Sequence, residues 1–447
     1  MASATEAATV TGRRIGAVLC LAAVMAALVL PGRWYLVSFA PFAGGAWLVA
    51  RLDRRTALAL VLLGGVLLPL TAAMSPPASS DDLYRYLWDG RVQLADVDPY
   101  RYPPAAPELA PLRDGPLWSP DAHWCLPDGA CTRINRPTVP TIYPPVAEGL
   151  FAAVAALAPG VRGLQLVMAM FAAAVGALLW RALAALGRDP RRAVLWAWCP
   201  MVALEAGNNA HVDVVAVGLA AVAVWLLARG RAVPGGLAWG LAIATKLTPA
   251  LLAPALLRRR PLAVGLAAVG AVAAVYLPHV LAVGPGVLGY LPGYLHEEGY
   301  TDGSRFALLS AVLPAALTTP AAAAIVAVAA VAVWWRADPD RPWRAAAAMV
   351  TVTLLVAAPA YPWYALLLVM LVAYGAPWEW LTVAAAAYLA QFAPDLGLAT
   401  ATAQRIGYGT ALAVVAAGLA ARSIQRHLST HSVTRDEQPD PSGMMAP

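Results

Sequence analysis

The sequence predicts an all-α, polytopic integral membrane protein with about 10–13 transmembrane helices. Three observations carry that reading. The 447 residues are 60% hydrophobic and only 13% charged, whereas soluble domains carry roughly 25% charged residues. The apolar residues are gathered into blocks of Ala, Val and Leu, several of which reach the length of about 20 that a spanning helix needs. The arginines fall between those blocks, as they do in the cytoplasmic loops of multi-pass proteins. The short-period alternation of a membrane β-barrel is missing.

Arg13 and Arg14 precede the block 15–30. It resembles a signal peptide, but no small-x-small cleavage site follows, and Leu19 stands where a lipoprotein site before Cys20 would need a small residue; it reads as an uncleaved first helix. Blocks 34–50 and 57–73 flank the Arg51, Arg54 and Arg55 cluster. With the N-terminal arginines cytoplasmic, the third span exits near Ala73 and a large outer-face loop opens, about 75–160. Within it, 146–158 is too short to span and predicts an interfacial helix. Block 161–182 returns the chain to Arg188, Arg191 and Arg192, and 193–204 and 212–228 flank a polar turn and lead to Arg229 and Arg231. Block 233–257 lies between basic clusters yet is too short for two spans, which implies a broken or re-entrant hairpin with Lys246 and Pro249 at its middle. Such backbone at membrane depth must line a cavity or be covered by protein. Blocks 262–283, 306–335, 345–374, 377–391 and 406–421 complete a transmembrane domain over 1–422, and the polar tail 423–447 reads as disordered and cytoplasmic.

The net charge of +6 is accounted for by these loop arginines, so no nucleic-acid partner is read from it. Cys20 and Cys199 lie in apolar blocks and read as packing residues. Cys125 and Cys131 lie in the outer loop, where either a disulfide or two free thiols fit, since spacing does not decide pairing.

The chemistry-bearing residues interrupt the apolar blocks. "SSDDLYRYLWDG", 79–90, places Asp81 and Asp82 at a helix start, where Ser79 or Ser80 caps the helix and negative charge suits the first turn. At helical spacing Asp82, Arg85, Tyr86 and Asp89 share a face. "EAGNNAHVD", 205–213, brings Glu205, Asn209, His211 and Asp213 to the same outer side. Lys246 in "IATKLTP" has apolar neighbours, so it either snorkels to the interface or meets an anion such as phosphate. "HEEGYTDGSRF", 296–306, adds Arg305, and "APAYPWYALL", 358–367, adds Tyr361 and Trp363 around Pro362. Ionisable groups at membrane spans are costly and usually functional. Together they describe an outward-facing cavity with carboxylates on one side and cations on another. That arrangement suits a reaction between a lipid-anchored phosphate and a neutral hydroxyl. No P-loop, GxGxxG or His-Glu-x-x-His motif accompanies it.

"SDDLYRYLWDGRVQLADVDPYRYPP" (80–104) followed by "INRPTVPTIYPPVAEGLF" (134–151) resembles bacterial polyprenyl-phosphate-mannose-dependent mannosyltransferases. These are the family-87-like and alpha-1,6-mannopyranosyltransferase-like members of the C-type glycosyltransferase superfamily. "GNNAHVD", "ATKLTP" and "YPWY" are similar to later motifs of that group, in the same order, so the resemblance covers about 57–375. It implies a multi-pass enzyme of the cell membrane, with its site facing outward, that inverts the sugar of a polyprenyl-phosphate donor, usually mannose, onto a glycan or glycolipid acceptor. It maps the family's acidic pair onto Asp81 and Asp82, with Asp81 as base because related enzymes tend to use the first acid of such a pair, and Asp82 as the supporting acid or the alternative base. Lys246 and Arg305 are the candidates for donor phosphate, and His211 and Asp213 for donor or acceptor contacts. Arg85, Tyr86, Asp89, Tyr143, Asn209, Tyr361 and Trp363 complete the candidate substrate site.

The stretch 113–133, with Trp118, Trp124 and the cysteine pair, departs from the resemblance and leaves the acceptor open. Some members of the superfamily use a divalent metal and others none; no metal ligand set is legible here. Alternatives of other kinds are an arabinofuranosyl or other lipid-linked sugar transferase, a lipid or sugar transporter, for which broken helices are also typical, and a membrane scaffold.

Overall fold

A computed structural model describes residues 2–30, 32–113 and 115–436. The chain is an all-α membrane protein, and a two-stranded hairpin, Trp124–Cys125 with Cys131–Thr132, is its sheet structure among the described residues. Six described helices are long and apolar enough to cross a membrane. The other blocks form helices of 10–17 residues, such as Asp213–Ala228, Ala232–Ile243 and Pro342–Ala357. They stop short where polar turns or prolines end the hydrogen-bond ladder.

At the centre lies Leu366–Tyr374, a helix buried at every residue. A helix that is apolar all round belongs in the interior. It packs against Val194–Ala197, Asp213–Ala228, Pro342–Ala357 and Leu381–Gln391. Arg192 donates to the carbonyls of Val372, Ala373 and Ala376 at its C-terminal end, where those groups lack helical partners. Arg191 reaches Leu52 O at 3.0 Å, and Arg188 lies over the Trp343 ring. The arginine-bearing loops therefore converge at one end of the bundle, the grouping expected of a positive-inside end.

Helices without a hydrophobic force between them rely on close packing through small residues. Trp198 is fully buried beside Gly45 and Gly64 and donates its indole N–H to Leu60 O at 2.9 Å. A Cβ on Gly64 would lie 2.1 Å from that indole nitrogen.

The large loop between Ala73 and Gly160 is built, not open coil. Asp82–Leu94 and Pro145–Leu157 form two helices packed on each other, which is the pair of non-spanning helices the sequence implies. They cross closely at Gly90, where a Cβ would lie 2.3 Å from Phe151 O. A small separate core of Trp88, Val92, Leu109, Leu117 and Ile134 supports the rest of the loop. Cys125 and Cys131 form a disulfide, which resolves that alternative. The block 233–257 is broken as expected: Ala232–Ile243 ends, the chain turns through Lys246, and Ala253–Leu256 follows.

The last helix, Thr400–Asp436, continues beyond Ser423, where the sequence reads as a disordered tail. Once a helix has formed, each further residue adds a hydrogen bond without a new nucleation cost, so loss of apolar character does not end it. Residues 437–447 of that expected tail lie outside the described residues.

Candidate functional site

Opposite the arginine-rich loops, five breaks in the helical bundle meet around a cavity of about 830 Å³. They are the approach to Asp82–Leu94, the loop 135–144, the turn at Lys246, the segment 290–305 and the break before Leu366–Tyr374. Three non-glycine residues near these breaks, Arg136, Ala210 and Ala358, have left-handed backbone, at φ of 46°, 54° and 41°. Such residues are uncommon and concentrate where a site fixes the chain.

The acid pair divides its work. The Ser80 hydroxyl accepts from the Asp82 N–H at 3.2 Å, while Asp81 occupies the N-cap position without a capping hydrogen bond. The serine thus performs the capping, and the Asp81 carboxylate turns instead to His123, whose Nε2 lies 2.9 Å from Oδ2. Asp82 points inward. Its Oδ1 accepts from Asn135 Nδ2 at 2.7 Å and its Oδ2 lies 3.8 Å from His211 Nδ1. Both aspartates line the cavity.

The "GNNAHVD" turn holds the approach to that pair. Asn209 N–H and Leu204 O bond at 2.9 Å across five residues, a π-type widening of the kind found at functional sites. Asn208 donates to Ala72 O and Pro76 O and accepts from Ala78 N–H. Asn209 donates to Ser79 Oγ at 2.8 Å and to Glu205 Oε2 at 3.0 Å. His211 is buried, stacked on Trp363 with ring centroids 4.0 Å apart, and lies 3.4 Å from Glu205 Oε2.

The cations are each held by an acid. Lys246 Nζ lies 3.1 Å from Asp213 Oδ2 and over the Tyr143 ring at 5.1 Å. Arg305 pairs with Glu298, and its guanidinium lies over the Tyr300 and Tyr361 rings. The Tyr361 hydroxyl donates to the same Glu298 at 3.0 Å. Arg136 makes a two-pronged pair with Glu297.

Of the residues singled out in the sequence, Asp81, Asp82, Arg85, Tyr143, Lys246, Arg305, Tyr361 and Trp363 line the cavity. Asn209, His211 and Asp213 stand behind its wall, joined to it through Ser79, Asp82 and Lys246. Tyr86 and Asp89 do not reach it. Tyr86 stacks on Phe151, and Asp89 holds the Arg85 guanidinium at 2.9 Å. The shared helical face is divided: Asp82 and Arg85 line the cavity, while Tyr86 and Asp89 meet Phe151 and Glu148 of Pro145–Leu157. Sequence reasoning missed His123, Asn135, Arg136, Glu298 and Tyr364. Asn135 and Arg136 stand in a quoted motif, "INRPTVP", but polar residues among prolines are ordinary in loops. Among the described residues no group of three or more His, Cys, Asp or Glu side chains is arranged to hold a metal.

The sequence model of Glycosyltransferase family 87 matches residues 141–359. The match supports a membrane glycosyltransferase. It spans just under half of the chain and includes Tyr143, the 205–213 turn, Lys246 and Arg305. The acid pair and the disulfide hairpin lie before it. No curated protein and no solved structure matches the chain.

Proposed function

We propose that this protein transfers a hexose from a polyprenyl-phosphate donor to a hydroxyl of a glycan or glycolipid, with inversion, outside the plasma membrane. Mannose is the donor sugar favoured by the sequence resemblance. The observation that carries the reading is the lining of one cavity. Asp81 and Asp82 share it with Arg136, Lys246 and Arg305, and its apolar wall includes Leu251, Val350, Leu354 and Leu367. Acids, cations and an apolar wall match a hydroxyl, a phosphate and a prenyl chain.

In this reading the Asp81 carboxylate takes the proton of the acceptor hydroxyl as its oxygen bonds to the anomeric carbon. The bond from that carbon to the phosphate oxygen breaks, and the polyprenyl phosphate leaves with the electron pair. Asp82, fixed by Asn135, supports the base and helps to place the hydroxyl. Lys246 and Arg305 stabilise the leaving phosphate, and Arg136 adds a third positive group at the same cavity. The outward orientation is supported by the arginine-rich loops at the far end of the bundle and by the disulfide beside the cavity.

The test is transfer by purified Asp81→Asn and Asp82→Asn proteins in lipid nanodiscs, with polyprenyl-phosphate mannose as donor. Loss of the base is expected to lower kcat by about 100-fold or more, with the larger loss in Asp81→Asn. Full activity in both folded variants would remove the acid pair from the chemistry. Transfer with only a non-mannose donor would replace the sugar assignment.

A further inference from the structure

The hairpin around the disulfide lies outside the stretch matched to the family, yet it reaches the acid pair. Trp124 lines the cavity although 40% of it remains exposed. Its neighbour His123 lies 2.9 Å from Asp81 Oδ2. One short arm therefore touches the acid pair and presents an aromatic face beside it.

The arm is rigidly rooted. Cys125 is bonded to Cys131 across the hairpin. Leu126 N–H donates to Ala130 O, and Ser119 N–H to Cys131 O. Below it, Thr132 Oγ1 donates to Leu117 O at 2.9 Å. Trp118 packs on Trp88 of the Asp82–Leu94 helix, with centroids 5.7 Å apart. The same helix carries Asp82, so arm and acids are positioned by one support. A large exposed tryptophan in a hairpin so firmly braced is not explained by packing, because the core of the loop lies beneath it.

We propose that Trp124 is the acceptor subsite: its indole face stacks on the apolar face of a pyranose ring and directs that ring's hydroxyl to Asp81. The class of acceptor is thus a saccharide rather than a Ser or Thr side chain. His123 is a positioning residue that holds the Asp81 carboxylate toward the ring. The inference rests on the transferase reading, but its binding element does not require turnover. Rings bound in this way present an apolar surface to the aromatic face and their polar edges to neighbouring side chains.

The experiment uses the full chain in nanodiscs, with methyl pyranosides and their disaccharides as probes and a Ser/Thr-rich peptide as the competing acceptor class. Binding of the saccharides is measured by calorimetry without donor. Transfer and acceptor-independent donor hydrolysis are measured with donor. Trp124→Ala is expected to weaken saccharide binding and raise the acceptor KM by about tenfold, roughly the worth of one aromatic contact. Donor KM and donor hydrolysis should hold. Trp124→Phe should recover most of the affinity, which separates stacking from a folding defect. Cys125→Ser with Cys131→Ser should loosen the arm and shift acceptor KM in the same direction. His123→Ala should lower kcat with acceptor KM little changed. Unchanged saccharide binding in folded Trp124→Ala, or preference for the peptide, overturns the proposal. Saccharide binding that depends on Trp124 in a chain that neither transfers nor hydrolyses the donor keeps the subsite and removes the donor reading instead.

Discussion

Asn135 Nδ2 donates to Asp82 Oδ1 at 2.7 Å, so a side chain from the loop 135–144 fastens the inner acid of the pair. A hydrogen bond to a charged group is worth about 1.5–3 kcal/mol. Asn135→Ala is therefore expected to lower kcat by roughly 10- to 100-fold, with donor KM little changed. Steady-state kinetics in nanodiscs reads this split. An effect on donor KM alone would move Asn135 from positioning Asp82 to binding donor.

Lys246 and Asp213 give a second prediction. Their contact is 3.1 Å, with side chains only 15% and 3% exposed. Removing one partner of a buried pair leaves an uncompensated charge, at a cost of about 3–5 kcal/mol. Lys246→Ala should thus lower the unfolding temperature as well as donor affinity. In Lys246→Met with Asp213→Asn no charge is stranded, so the unfolding temperature should recover while donor affinity stays low. Recovery of both would mean that the pair is structural and does not meet the donor.

The close crossing at Gly90 gives a third. A Cβ there would meet Phe151 O at 2.3 Å, a backbone atom that cannot swing aside. Gly90→Ala should separate Asp82–Leu94 from Pro145–Leu157 and destabilise the chain by about 1–3 kcal/mol. Because the first helix begins at Asp82, activity should fall further than the folded fraction. Thermal unfolding and specific activity measured on one preparation compare the two losses. Equal losses would show that the crossing supports the fold without setting the acids.

What the sequence revealed follows from what kind of pattern each feature leaves. Apolar blocks and flanking arginines report membrane burial directly, and Lys246 between them marks the broken hairpin. Which blocks form one long helix and which are broken was not legible, because half of a broken pair is as apolar as a full helix; Ala232–Ile243 and Leu366–Tyr374 are both of this kind. The acid pair was legible as charge beside an apolar block. Which groups face the acids was not, since His123 and Asn135 are 42 and 53 residues away in sequence from their partners. Helical spacing misled at Tyr86 and Asp89. It grouped them with Asp82 correctly, but periodicity identifies a shared face and not whether that face meets a cavity or another helix.

The last prediction concerns pH. Glu148 is buried in Pro145–Leu157, accepts from Thr141 Oγ1 at 2.8 Å and from Gln93 Nε2 at 3.0 Å, and stands near Asp89. Burial, and then the Asp89 charge, raise its pKa well above the ordinary carboxylate value of 4.5. Burial also raises Asp89, against the pull of Arg85. Between the ordinary value and the raised one, the folded chain holds a proton that the unfolded chain has released. Stability must then fall as pH rises through that window, since the folded state binds the extra proton. A glutamine at 148 keeps a carbonyl oxygen to accept from Gln93 Nε2, can donate its amide N–H to the Thr141 hydroxyl oxygen, and has no proton to lose. Glu148→Gln should therefore flatten the decline in unfolding temperature above the ordinary carboxylate range and leave the value at the acid end little changed. Parallel curves for the two proteins from acid to neutral pH would mean that the buried carboxyl keeps an ordinary affinity for its proton.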